Sequence, residues 1–91
     1  MKSQLEMLRS IQEIKNQTGE YLAKQPQDER FSWVLKELDR MTGLVENLWP
    51  LLAEDKVTIS LGLYAARNLE ELDGGRFATL LHHLAGDLER S

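Results

Sequence analysis

Cysteine is absent from this 91-residue sequence, so neither a disulfide nor a thiolate metal site can hold the fold together. Proline is almost as scarce, with two residues, so few positions forbid helical backbone. Hydrophobic residues make up 42% and charged residues 29%, which is the composition of a folded domain and not of a disordered chain. At this length we expect a single domain, 1–91.

Long apolar runs are also missing. The opening stretch, MKSQLEMLRSIQEIKNQ, carries a charge every few residues, unlike the apolar core of a secretory signal. No stretch approaches the roughly 20 apolar residues of a membrane-spanning helix. We therefore expect a cytoplasmic protein with no membrane partner.

A basic stripe is lacking too. The formal net charge is −4, which disfavours nucleic acid as a partner because its phosphates would be repelled. Such a balance either attracts a basic protein surface or simply keeps the chain soluble. The acidic residues are unevenly placed, since 28–55 has three basic residues, Arg30, Lys36 and Arg40, against seven acidic ones, Asp28, Glu29, Glu37, Asp39, Glu46, Glu54 and Asp55.

Apolar residues recur at helical spacing in four segments. The first helix is predicted at about 3–24, with an alternating seam that suits bundle packing or, as a structural alternative, a dimer contact. The second is predicted at 29–49, capped by Asp28 and ended by Pro50. On its flank lie Trp33 and Leu44, which either pack because this helix is central or form a partner-binding stripe.

The third helix is predicted at 59–72, with Thr58 as its possible cap. Its inner face is expected to carry small residues that let another helix approach closely, although Gly62 costs stability in a helix interior. The outer face is expected to form a ridge of Ser60, Tyr64, Arg67, Asn68 and Glu71, with Arg67 and Glu71 spaced for an ion pair. The small and apolar inner face is Ile59, Gly62, Ala65, Ala66, Leu69 and Leu72.

The fourth helix is predicted at 76–89, with Asp73 as its cap. No strand pattern is present, so the predicted fold class is all-α, a small antiparallel helical bundle of about four helices. The second, third and fourth helices are expected to supply most of the core.

Catalytic and metal-binding patterns are scarce. His82 and His83 point about 100° apart on a helix and cannot both bind one metal. Glu70 and Asp73 have the spacing of one magnesium-binding acidic pair, but a nucleotide-hydrolysing bundle needs repeated pairs, and Asp73 is better explained as a cap. We expect no enzyme, cofactor, metal or small-molecule substrate, and the alternative is a magnesium enzyme using this pair.

From about residue 20 to 84 the order of elements resembles one protein family, most densely at 57–73. The sequence ISLGLYAARNLEELD and the leucine-rich helix after it are similar to the small all-helical immunity proteins of type VI secretion and polymorphic toxin systems, which neutralise NAD(P)-degrading effectors. The family commonly has Pro and Glu where this chain has Gly74 and Gly75. The matching residues are Ile59, Leu61, Gly62, Ala65, Ala66, Arg67, Glu70, Glu71, Asp73, Leu80 and Leu81.

The resemblance implies an inhibitor that binds a cognate toxin domain and blocks its active site. The toxin would be an NAD(P) glycohydrolase or, less favoured, an ATP pyrophosphokinase, whose phosphate-binding site a carboxylate-rich helix could plug. The expected contact residues are Tyr64, Arg67, Glu70 and Glu71, then Trp33 and Asp39. The alternative function is a self-associating helical scaffold, a homodimer joined through the first helix.

Overall fold

A computed structural model describes residues 3–56 and 60–90. Its α-helices are α1 (Gln4–Lys24), α2 (Glu29–Leu48), the single turn α3 (Ala53–Lys56), α4 (Leu61–Asn68) and α5 (Arg76–Glu89). A 3₁₀ turn, Leu72–Gly75, precedes α5. These ranges contain no strand, and the predicted all-α helical bundle is confirmed.

Local sequence explains where the long helices begin and end. Ser3 and Glu6 form a capping box at the start of α1. Asp28 caps α2 as predicted, because its Oδ1 accepts a hydrogen bond of 3.0 Å from the backbone N–H of Arg30. Helix α2 ends at Leu48, and Trp49 before Pro50 is extended.

The core runs through the whole bundle and includes α1. The predicted α1 seam of Met7, Ile11 and Ile14 is buried, and α1 packs against α2 and α5, in agreement with the bundle packing predicted for this helix. The other buried apolar residues are Phe31, Val34, Leu38, Met41, Val45, Leu51, Leu61, Ala65, Leu69, Phe77, Ala78, Leu81, Leu84, Ala85 and Leu88.

The third helix is shorter than predicted. Its α-helical part ends at Asn68 and not at 72, while Thr58 and Ile59 lie outside the described residues. Ala66, which was predicted on the inner face, is exposed, whereas Leu61 is buried. The buried positions Leu61, Ala65 and Leu69 recur at a spacing of four, which is a narrower stripe than the sequence predicted and leaves Ala66 outside it.

The prediction that Asp73 caps the last helix is wrong. Asp73, Gly74 and Gly75 all have positive φ, and Gly75 occupies the cap position of α5. The side chain of Asp73 instead accepts a hydrogen bond from the hydroxyl of Tyr21 on α1. Asp tolerates left-handed backbone better than most residues, and glycine adopts it freely, so this run suits a tight reversal of the chain.

Arg30 joins the start of α2 to the end of α4. Its Nη1 donates a hydrogen bond of 2.7 Å to the backbone carbonyl oxygen of Asn68, and its Nη2 lies 2.6 Å from Oδ2 of Asp28. The hydrogen bonds from Arg30 lower the pKa of Asp28, and Asp28 in turn raises the pKa of Arg30. A cation bonded to the last carbonyls of a helix is favourable, so this contact holds α4 beside α2.

Across residues 3–56 and 60–90, no helix has the length and apolar character needed to cross a membrane.

Candidate functional site

Two aromatic side chains on neighbouring helices form the centre of the candidate site. The rings of Trp33 on α2 and Tyr64 on α4 stack with centroids 3.9 Å apart and planes inclined by 17°. Both side chains are partly exposed, so the stack lies at the surface over the α2–α4 contact. Trp33 therefore packs within the bundle, as one of the two interpretations of its flank position predicted, yet remains accessible from outside.

The stack separates two shallow hollows. The α2 hollow, of about 410 Å³, is lined by Glu29, Ser32, Trp33, Lys36 and Tyr64. The α4 hollow, of about 190 Å³, is lined by Trp33, Ser60, Leu63, Tyr64, Arg67 and Asn68. We call these two hollows and the stack between them the aromatic surface.

Several polar side chains of the aromatic surface have no ion-pair or hydrogen-bond partner among the described residues. In the part of the chain that the structure describes, Glu29, Lys36 and Arg67 are exposed and form no ion pair, and the hydroxyl of Tyr64 forms no hydrogen bond. Burial raises the pKa of Tyr64, so its hydroxyl is protonated and can donate. These groups can bind an incoming ligand without first breaking an internal contact.

Leu63 adds exposed apolar area to the α4 hollow. Its side chain is 58% exposed, although exposing a leucine side chain to water is unfavourable in free energy. Beside two aromatic rings it forms an apolar centre with a polar rim, which is the usual anatomy of a protein-interaction surface. The arrangement suits binding of another protein.

The residues predicted to contact a partner do not all lie on one surface. Tyr64, Arg67 and Trp33 come together on the aromatic surface. The predicted outward orientation of Arg67 and Glu71 is confirmed, since both are exposed, while Tyr64 is only partly so. Glu70 is exposed as well.

Glu70 and Glu71 lie beyond the end of α4 and do not line either hollow of the aromatic surface. Oε1 of Glu70 lies 3.2 Å from Nε2 of His82 on α5. Arg67 and Glu71 form no ion pair within 4 Å in the described chain, because α4 ends at Asn68 and the helical spacing between them is lost. The sequence prediction of a single carboxylate-rich ridge is therefore wrong in its geometry.

Asp39 lies away from the other predicted residues. Its carboxylate, 67% exposed, is 2.6 Å from Nζ of Lys15 on α1. Asp39 is six positions after Trp33, and six steps of about 100° place the two on different sides of α2. Asp39 joins α1 to α2 and does not extend the aromatic surface.

Sequence reasoning missed Glu29, Lys36 and Leu63. The signal for the first two was present, because positions 29, 33 and 36 share one helical face. Leu63 is next to Gly62, which was predicted to lie on the packed inner face. The structure shows that Gly62 lies against α5, whereas Leu63 is exposed to solvent.

A polar hollow lies between α1 and α5, outside the aromatic surface. It has a volume of about 430 Å³ and is lined by Gln17, Glu20, Tyr21, Lys24, Asp73 and Arg76. The hydrogen bond to the Asp73 carboxylate raises the pKa of Tyr21, with burial adding to the effect. Its two cations are matched by two carboxylates, so the hollow has no net charge with which to select an ionic ligand.

The acidic pair considered for magnesium is used in structural contacts. Glu70 faces His82, and Asp73 binds Tyr21. No three His, Asp or Glu side chains come together as a metal site within 3–56 and 60–90.

Comparison with protein-family models, with curated proteins and with solved structures gives no match to this chain.

Proposed function

We propose that this chain is an immunity protein that binds a cognate secreted toxin domain in the cytoplasm and blocks its active site. The toxin would consume NAD(P) or ATP, in line with the resemblance of residues 57–73 to the small helical immunity proteins. The structural observation that carries the proposal is the aromatic surface, where a stacked Trp33 and Tyr64 lie beside exposed Leu63 and unpaired Arg67.

The residue types of this surface support a protein partner. Trp, Tyr and Arg supply most of the binding free energy in protein interfaces when they sit near the centre. Here all three surround one point, and the ring stack already fixes Trp33 and Tyr64 in place. Because fewer rotamers are lost on binding, a preformed anchor binds more tightly than a mobile one.

Charge supports the proposal in a different way from that expected from the sequence. Glu70 and Glu71 are exposed just after the end of α4, the helix that carries Tyr64 and Arg67, so in this proposal they contact the edge of a toxin pocket while Tyr64 and Arg67 contact its centre. The net charge of −4 still favours association with an electropositive phosphate-binding site, by steering the encounter.

Co-expression with a candidate toxin tests the proposal. The first candidate is the protein encoded by the gene immediately upstream, whose last domain should kill cells unless this chain is present. We expect rescue of growth and a stable complex on co-purification. Absence of both would contradict the proposed function.

A matched pair of variants tests the surface. Leu63 and Leu5 are each 58% exposed, and each lies in the first turn of its helix, where an aspartate is tolerated. We expect Leu63→Asp to abolish rescue, since a carboxylate would be buried at the interface, and Leu5→Asp to retain it. Equal rescue by both variants would show that the toxin binds elsewhere.

A further inference from the structure

The exposed face of α2 carries opposite charges two turns apart. Glu29 and Lys36 are both exposed, and neither pairs with another residue within 3–56 and 60–90. Seven residues of α-helix rotate by about 700°, so the two side chains lie on one line, about 10.5 Å apart along the axis. Ser32 and Trp33 lie between them and complete the α2 hollow with Tyr64.

We propose that two copies of this chain associate through the α2 hollow, with their α2 helices antiparallel about a two-fold axis between Ser32 and Trp33. Positions 29 and 36 are equally far from that axis. Glu29 of each copy therefore meets Lys36 of the other, and both ion pairs form at once. A two-fold interface requires such self-complementarity.

The shape of the hollow fits the same arrangement. Antiparallel pairing about this axis places Trp33 of one copy opposite Ser32 of the other, so a large side chain meets a small one. Stacking on Tyr64 restricts the movement of each Trp33 at the centre of the contact. The contact then has an apolar centre and a charged rim, as protein interfaces commonly do, and the alkyl stem of Lys36 can cover ring surface.

This dimer does not depend on any toxin, and it differs from the α1 dimer considered from the sequence. It uses Trp33, which also belongs to the proposed toxin contact. The toxin and a second copy would therefore compete for Trp33. In the absence of toxin, the dimer would bury this part of the aromatic surface.

Sedimentation velocity of the purified full chain tests the proposal. From micromolar to millimolar concentration at low salt, we expect a monomer–dimer equilibrium that shifts toward monomer as salt is added. Glu29→Lys and Lys36→Glu each set like charges opposite one another, and each should weaken the dimer about tenfold or more. The double variant Glu29→Lys/Lys36→Glu exchanges the charges and should restore it.

Three outcomes would overturn the proposal: a wild-type monomer throughout the range, a double variant as dissociated as the single ones, or a dimer indifferent to all three changes. Glu13→Lys and Arg9→Glu, at exposed positions on α1, are the controls and should leave dimerisation unchanged. Circular dichroism and unfolding midpoints of each variant separate lost dimerisation from lost folding. None of these results depends on whether the co-expressed neighbour is a toxin.

Discussion

The guanidinium of Arg30 and the backbone carbonyl of Asn68 are joined by a hydrogen bond of 2.7 Å, although 38 positions separate them in the sequence. This contact fixes the C-terminal end of α4 against the N-terminal end of α2. Trp33 lies about one turn after Arg30 in α2, and Tyr64 lies about one turn before Asn68 in α4, so the contact is close enough to influence the alignment of the ring stack.

Replacement of Arg30 by methionine is predicted to destabilise the protein by about 1–3 kcal/mol, the usual cost of losing a hydrogen bond to a charged group. Methionine retains much of the aliphatic packing, so the loss reports on the guanidinium. Urea unfolding measures the effect. Arg67→Met is the control, because Arg67 forms no hydrogen bond or ion pair in the described chain, and its unfolding free energy should change by less than about 0.5 kcal/mol.

Asp28 should make stability depend on pH in the acid range. Its pKa is lower in the folded protein than in the unfolded chain, chiefly because Arg30 hydrogen-bonds the carboxylate. The stabilisation is therefore present above the unfolded pKa, near 3.8, and is lost as the pH falls through the lower folded value. We expect the difference in unfolding free energy between wild type and Asp28→Asn to shrink as the pH falls below that value. A difference that stays constant from neutral to acid pH would contradict this account.

Tyr21→Phe is predicted to cost about 0.5–1.5 kcal/mol, the net value of one hydrogen bond, because it removes the hydroxyl that donates to Asp73. The ring itself should stay, stacked on Phe31 at 5.3 Å between centroids. The folded pKa of Tyr21 is raised, so its contribution is present below the unfolded value of 10.0 and is lost as pH rises through the folded value. Thermal melts at neutral and alkaline pH measure both effects.

The matched control is Tyr64→Phe, which removes a hydroxyl with no hydrogen-bond partner in the described chain. We expect little change in melting temperature for that variant. A larger loss from Tyr64→Phe than from Tyr21→Phe would refute the assignment of the Tyr21–Asp73 contact as the stabilising one.

Gly62 is predicted to accept alanine with a gain in stability of up to about 1 kcal/mol, the difference in helix propensity. A Cβ there would meet Nδ1 of His82 at 3.4 Å and Cβ of Ala85 at 3.5 Å, which are ordinary contacts. The glycine thus lies close to α5, as the sequence suggested, but the packing does not demand it.

Gly75→Ala provides the contrast to Gly62→Ala. Gly75 has φ +86°, and an added Cβ would lie 3.2 Å from the backbone oxygen of Glu70. Chemical denaturation should therefore show a loss for Gly75→Ala and a gain or no change for Gly62→Ala. Equal stability of the two variants would contradict the conclusion that the positive φ of Gly75 requires glycine.

Periodicity predicted the bundle well because α1, α2 and α5 each bury a continuous stripe, and Asp28 and Pro50 mark local boundaries. It failed at α4, where eight helical residues make too few turns for the spacing to show which side faces inward. The failure at Asp73 has a tertiary cause, since its partner Tyr21 lies 52 positions away. Arg67, Glu70 and Glu71 do not form one ridge for the same reason, because α4 ends at Asn68, before the two glutamates.

The contact between Trp33 and Tyr64 also gives the protein a built-in optical probe. The chain has two tryptophans, so Trp49→Phe would leave Trp33 as the sole indole emitter. With a phenol ring 3.9 Å away, its emission should report directly on the environment of the stack. Binding of a toxin or a second copy to this face would then be detected as a shift in the Trp33 emission spectrum of unlabelled protein.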